Sequence, residues 1–106
     1  MTTISYEFEL NKHVGFPPPS VAAAVDLNAN DVADPGESIT LSQTGLLWEG
    51  ERDLNQDASG LVVMTLFQAT MNAQYRITIK DENGNKLAEV NAVVHQQPQV
   101  QFLVLK

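Results

Sequence analysis

The sequence predicts an all-β fold, an antiparallel β-sandwich, and three observations carry that prediction. Apolar and polar residues alternate with a period of two in several separate stretches, the pattern of strands with one buried and one wet face. Turn chemistry built on Gly, Pro, Asn and Asp recurs roughly every ten residues, the spacing of short strands in a sandwich. No stretch shows the strand–helix alternation of a parallel α/β sheet.

Ile4, Tyr6, Phe8 and Leu10 alternate with Ser5, Glu7, Glu9 and Asn11 and make the first strand. Gly15 and the run Pro17-Pro18-Pro19 end it. Consecutive prolines donate no ladder bonds and hold the chain extended, which suits a stiff crossing between sheets or an edge cover. Val21 to Leu27 fits a strand or a short helix. The prolines before it and the turn residues after it favour the strand. Asn28 to Gly36 reads as a loop. Ile39 and Leu41 then alternate with Ser38, Thr40 and Ser42 as another strand, which Gly45 ends. Leu46-Leu47-Trp48 is a short apolar stretch, and Glu49 to Gly60 reads as a second polar loop.

Leu61 to Phe67 is apolar on both faces and is expected at the centre of a sheet. Tyr75, Ile77 and Ile79 alternate with Arg76, Thr78 and Lys80. Asn83-Gly84 predicts a tight hairpin with positive φ at both residues. Leu87 to Val94 is the returning strand, although Leu87, Val90 and Val94 also fit a helix. Val100 to Leu105 closes the chain after Pro98. The total is about seven to eight short strands in one domain, residues 1–106, of an Ig-like or jelly-roll-like kind.

The chain is 43% hydrophobic, enough for one core. It has no cysteine, which excludes a disulfide framework, a thiolate zinc site and a Cys nucleophile. The N-terminal residues have neither a basic nor an apolar region, so no signal peptide is expected. The longest apolar run is too short to cross a bilayer. The expected setting is a cytoplasm or a virion, with no membrane partner.

Charge is concentrated. Eight acids and the single base Arg52 lie between residues 26 and 57 and account for the whole net charge of −7. Nucleic-acid backbones need clustered Lys and Arg, so no nucleic-acid partner is expected. Cations, basic partners or solubility fit the balance.

The loop at 26–37 places oxygen-bearing side chains at alternate positions. Asp26, Asn28, Asn30, Asp31, Asp34 and Glu37 are candidate ligands for Ca²⁺, a hard cation that takes six to eight oxygens. Asp-x-Asn-x-Asn resembles the start of an EF-hand loop, but Asp31 stands where that loop needs glycine. The segment Asp34-Pro35-Gly36-Glu37-Ser38-Ile39-Thr40-Leu41 resembles the stretch leading into a strand in Ig-like repeats of bacterial surface proteins. That resemblance implies a β-sandwich used as a spacer or adhesive module. The plainer reading is that turn geometry alone selects Asp, Asn, Pro and Gly. Asp53 and Asp57 repeat the oxygen pattern and could share a cation if the two loops meet.

Catalytic chemistry finds little footing. His13 and His95 are the only histidines, and neither lies in a motif with a nucleophile. Glu7 and Glu9 lie about 7 Å apart on one strand face, near a glycosidase spacing. No aromatic sugar platform accompanies them. No enzyme is expected, and no cofactor apart from the candidate Ca²⁺.

Trp48, the only tryptophan, is a candidate core anchor or interface residue. In the last strand Val100, Phe102 and Val104 face one side, and Gln99, Gln101, Leu103 and Leu105 the other. A strand apolar on both faces needs cover on both, so Phe102, Leu103 and Leu105 are candidate interface residues. The expected function is a structural or assembly protein, for example a phage or virus capsid or tail accessory protein, either self-associating as a homo-oligomer or decorating a larger particle. The alternatives are a calcium-stabilised adhesive or carbohydrate-contacting module and an acidic mimic of nucleic acid.

Overall fold

In the computed structural model, which describes residues 2–30 and 32–106, β1 (Thr2–Leu10) is the organising strand. Its even-numbered residues Ile4, Tyr6, Phe8 and Leu10 are all buried, as the period-two pattern predicts. The chain then forms β2 (Ser20–Asp26), β3 (Ser38–Ile39), β4 (Ser42–Thr44), β5 (Leu47–Leu54), β6 (Val62–Gln68), β7 (Gln74–Lys80), β8 (Lys86–Val93) and β9 (Gln99–Val104). Two antiparallel sheets result, one ordered β4-β5-β1-β7-β8 and the other β3-β2-β6-β9. They pack face to face as a β-sandwich around a shared hydrophobic core. The described residues include no helix, and none long and apolar enough to cross a membrane.

Phe8 sits at the middle of that core. Its ring stacks on Tyr75 of β7 at 5.6 Å, meets Trp48 of β5 edge-on at 5.8 Å and tilts against Phe67 of β6 at 4.9 Å. Such pairs add to area burial because ring quadrupoles favour stacked and edge-on contacts. One hydrogen bond crosses the sandwich nearby. The Tyr6 hydroxyl lies 2.6 Å from Thr65 Oγ1, and both residues are buried. Burial pushes the Tyr6 phenol far above its ordinary range, and the bond to Thr65 offsets only part of that rise.

Three sequence expectations are corrected. Glu49 to Leu54 is strand, the body of β5, and not loop. Glu49, Glu51 and Asp53 take its wet face while Trp48 and Leu54 enter the core. Sequence reading missed it because the acids masked a period of two. The stretch from Ser38 to Ser42 is not one strand. The chain leaves the four-stranded sheet after Ile39 and joins the five-stranded sheet at Ser42, so two short strands raise the total to nine among the described residues. Gly50 permits that crossing, because a Cβ there would collide with the Thr40 carbonyl. Finally, Gly84 has φ +83°, as expected, but Asn83 is not in the left-handed region. The Asp81 carboxylate accepts the N–H groups of Asn83 and Asn85, each at 2.9 Å, and holds a longer turn in which glycine alone needs positive φ. Those N–H donors hold the Asp81 carboxyl below the usual carboxylate range, the Asn85 backbone first.

The other elements match. Val62–Gln68 is flanked by β2 and β9, and β8 is a strand. The prolines lie on the crossing from β1 in one sheet to β2 in the other.

Candidate functional site

β9 decides which surface of the molecule is unusual. Its register against β6 pairs Leu103 with Val63 and Gln101 with Thr65, so glutamines and leucines face the core. Gln99 is buried, and its amide donates to the Tyr75 hydroxyl at 3.1 Å. Tyr75 in turn donates to Gln101 Oε1 at 2.8 Å. Gln99 Oε1 accepts the His95 N–H at 2.8 Å. Polar groups are tolerated inside a sandwich when they are paired in this way. Leu105 packs into the core on the same side.

The consequence falls on the opposite face. Val100, Phe102 and Val104 point out of the sandwich and are 48%, 52% and 63% exposed, and Leu66 beside them on β6 is 50% exposed. Pairing sets them in rows: Ala22–Leu66–Val100 and Ala24–Met64–Phe102. None of the outward positions on β6 and β9 carries a charge, and β2 contributes Ser20, Ala22, Ala24 and, at its end, the buried Asp26. The small alanines leave a trough of about 380 Å³ beside the ridge of Phe102, Leu66 and Val100, closed on its far side by Ala33 and Ser38.

The outer face of the other sheet is different in kind. There Glu7 and Glu9 of β1, Glu49 and Glu51 of β5 and Arg76 of β7 face solvent, and Arg76 pairs with Glu9 at 2.6 Å. One sheet therefore has an ordinary wet face, whereas the four-stranded sheet exposes Leu66, Val100, Phe102 and Val104 on its outer side. The edges repeat the contrast. β4 is short and polar and β8 carries Lys86 and Glu89, but β9 is a six-residue edge without charge. Charges and short length are the usual protections of an exposed edge.

The predicted interface residues divide accordingly. Trp48 and Leu105 are core residues, which removes them from any docking surface. The core needed their bulk: Trp48 closes on Phe8, and Leu105 plugs the end of β9. Leu103 is half-buried against the core. Phe102 alone of the four lies outward, and its exposed companions Leu66, Val100 and Ala22 were missed, while Met64 in the same row as Phe102 is already buried. Their signal was present in the two apolar faces of β6 and the mixed pattern of β9, which sequence reading did not join because it could not place those strands side by side.

The candidate cation ligands gather into one loop, apart from Asp31, which lies outside the described residues. Asp26 and Glu37 are buried. Glu37 Oε2 accepts the Leu27 N–H at 2.7 Å and Oε1 the Asp34 N–H at 2.8 Å. Asp34 Oδ2 accepts the side-chain amides of Asn28 at 2.9 Å and Asn30 at 2.5 Å. Asn30 Oδ1 accepts the Val32 N–H, and Asp26 Oδ1 accepts the Asn30 N–H. These oxygens staple the loop by taking N–H donors. Among the described residues, no group of three or more His, Cys, Asp or Glu side chains is arranged to hold a metal ion. Arg52, the base in the acidic window, clamps the loop through the carbonyls of Ser38 and Gly36. Asp53 accepts from Thr3 and Asp57 from the Ser59 N–H, contacts outside the 26–37 loop.

The His13 ring has structural partners. His13 Nε2 lies 3.0 Å from the Pro17 carbonyl and Nδ1 3.1 Å from Thr70 Oγ1, which also bonds Val14. His95 is exposed. Comparison of the chain with known protein families, with curated proteins and with solved structures finds no match.

Proposed function

We propose that this protein is a non-catalytic structural module that works by assembly, with the outer face of the four-stranded sheet as its docking surface. The observation that carries the reading is the inversion of β9, which turns Gln99 and Gln101 inward and leaves Phe102 outward beside Leu66. A chain with 13 acids and 6 bases has ample charge to wet a surface. The exposed positions of β6 and β9 on this face carry none, and large contiguous apolar patches on soluble domains mark interaction sites. Docking covers the face with another copy or with a larger particle, such as a capsid or tail. The test is the size at which the chain migrates in a native extract of its source. The assembly reading expects a mass well above 11.6 kDa, and a Phe102→Glu variant that folds equally well but migrates alone. Wild type and variant migrating together at the monomer position would overturn it.

A second reading has one observation in its favour. Asp26, Asn28, Asn30, Asp34 and Glu37 converge on one loop, so calcium that displaced their N–H donors would find oxygens close by. This is the calcium-stabilised adhesive module, and its test is thermal unfolding in Ca²⁺.

A further inference from the structure

The turn between β7 and β8 carries a reactive pair that lies apart from the docking face. Asparagine is a thermolabile residue, and of the chain's asparagines Asn83 alone is followed by glycine. The side-chain amide of an asparagine can be attacked by the backbone nitrogen of the next residue. Glycine has no Cβ, which leaves that nitrogen open to approach and the backbone free to bend. We infer that Asn83 is a site of spontaneous deamidation, and that Asp81 sets its rate by holding the turn closed.

The chemistry needs only water. Gly84 N loses its proton and attacks Asn83 Cγ. The new N–C bond closes a succinimide ring, and the side-chain nitrogen takes up the proton and leaves as ammonia. Water then opens the ring at either carbonyl. One opening leaves aspartate at this position. The other leaves isoaspartate, in which the main chain runs through the side-chain carbonyl and is longer by one methylene. Either product adds a negative charge beside Asp81 and Glu82.

The structure supplies both access and restraint. Asn83 and Gly84 are exposed, and no described residue hydrogen-bonds the Asn83 side-chain amide. Other exposed asparagines are tied: Asp34 Oδ2 holds the amides of Asn28 and Asn30, and Asp81 Oδ2 holds that of Asn85 at 3.2 Å. The nucleophile at Gly84 is restrained. Its N–H donates to the Asp81 carbonyl at 3.1 Å, and the Asp81 N–H donates to the Asn85 carbonyl at 2.9 Å. The Asp81 carboxylate adds the N–H groups of Asn83 and Asn85. Attack requires Gly84 N to leave the Asp81 carbonyl and turn toward the Asn83 side chain, so it proceeds through a local opening of the turn. Such openings belong to the low-energy end of native-state fluctuation, and the bonds gathered by Asp81 set how often this one occurs. Isoaspartate lengthens the chain between Asp81 and Asn85, so the closed turn cannot re-form with the same bonds. The β8 edge of the five-stranded sheet is altered, and the outer face of the other sheet is not.

The experiment ages the purified full chain at mildly alkaline pH and follows each asparagine by peptide mass spectrometry, with aspartyl and isoaspartyl peptides separated by chromatography. Native wild type is compared with Asp81→Ala, with Asp81→Asn, which keeps an oxygen acceptor, and with wild type unfolded in guanidinium chloride. Asn83 should convert before any other asparagine in the native chain and give both products. The native chain should convert severalfold more slowly than the unfolded one. Asp81→Ala should approach the unfolded rate, and Asp81→Asn should fall between. Circular dichroism verifies that the variants are folded, and if Asp81→Ala is not, Asp81→Asn alone carries the comparison. An Asn83 that stays intact in the native chain while it converts in guanidinium would overturn the site, as would another asparagine converting first. Native wild type matching either the unfolded chain or the folded Asp81 variants in rate would overturn the role of Asp81.

Discussion

The Tyr75 hydroxyl on β7 donates a hydrogen bond to Gln101 Oε1 on β9 across the sandwich, at 2.8 Å. Gln99 completes the arrangement by donating to the same hydroxyl. A slip of one residue along β9 would exchange its two faces. It would carry Phe102 into the core and leave the Tyr75 hydroxyl without these partners. The bond thus links a buried tyrosine to the character of an outer surface.

Tyr75→Phe keeps the ring stacked on Phe8 and removes only the hydroxyl. It leaves Gln99 and Gln101 short of a partner in the interior. The expected loss is about 1–3 kcal/mol, the usual penalty of an unsatisfied buried polar group. Urea unfolding measures it, and a midpoint equal to wild type would mean that the glutamines find solvent.

Alkaline pH should destabilise the chain. Burial raises the phenol of Tyr6, with the Thr65 bond opposing, and burial also raises that of Tyr75, with the Gln99 bond opposing. In the unfolded chain both titrate near about 10. Below that pH both states hold the protons, and their contribution to stability is fully present. Above it the unfolded state releases them first, so stability falls as pH rises. Unfolding followed from pH 8 upward should show the decline, with a weaker slope in Tyr6→Phe.

Glu37→Ala should be costly for a reason unrelated to ions. Its carboxylate satisfies the N–H groups of Leu27 and Asp34 and is buried. Removing it should lower stability by about 2 kcal/mol or more. Thermal unfolding in calcium chloride, chelator and sodium chloride of equal ionic strength then separates the two roles of the loop. Equal rises in both salts fit stapling by N–H donors plus screening. A rise specific to calcium, weakened by Asp34→Asn, supports the second functional reading.

Gly50→Ala should destabilise by about 1–3 kcal/mol, because the added methyl meets the Thr40 carbonyl where the chain crosses between sheets. Calorimetric melting of the two proteins checks this. An unchanged melting temperature would mean that Thr40 can move aside at little cost.

Much of the sandwich was legible because β1 and β7 announce themselves by alternation and β6 by a run apolar on both faces. Phe8 and Ile77 could be assigned to the core with no knowledge of their partners. β5 was illegible because its outward positions are acids, so Glu49-Gly50-Glu51-Arg52-Asp53 reads as loop until Trp48 and Leu54 are seen to bracket it on one face. The candidate site was half legible. The sequence showed that β9 is mixed on one side and apolar on the other, but nothing local says which side faces in. That choice belongs to Tyr75, which lies 26 residues from Gln101 in the chain. The 26–37 loop was legible as a cluster of oxygens, while the N–H groups that occupy them became visible only in three dimensions.

Hydroxyl-radical footprinting of the assembled and the diluted protein tests the central claim most directly. Phe102 and Leu66 are half exposed in the isolated chain, and Met71, 44% exposed on a loop outside the docking face, is an internal reference. The account predicts that oxidation of Phe102 and Leu66 falls several-fold in the assembled fraction while Met71 is oxidised equally in both. Equal oxidation of Phe102 and Leu66 in the two fractions, with protection appearing instead on β5 or β8, would contradict it.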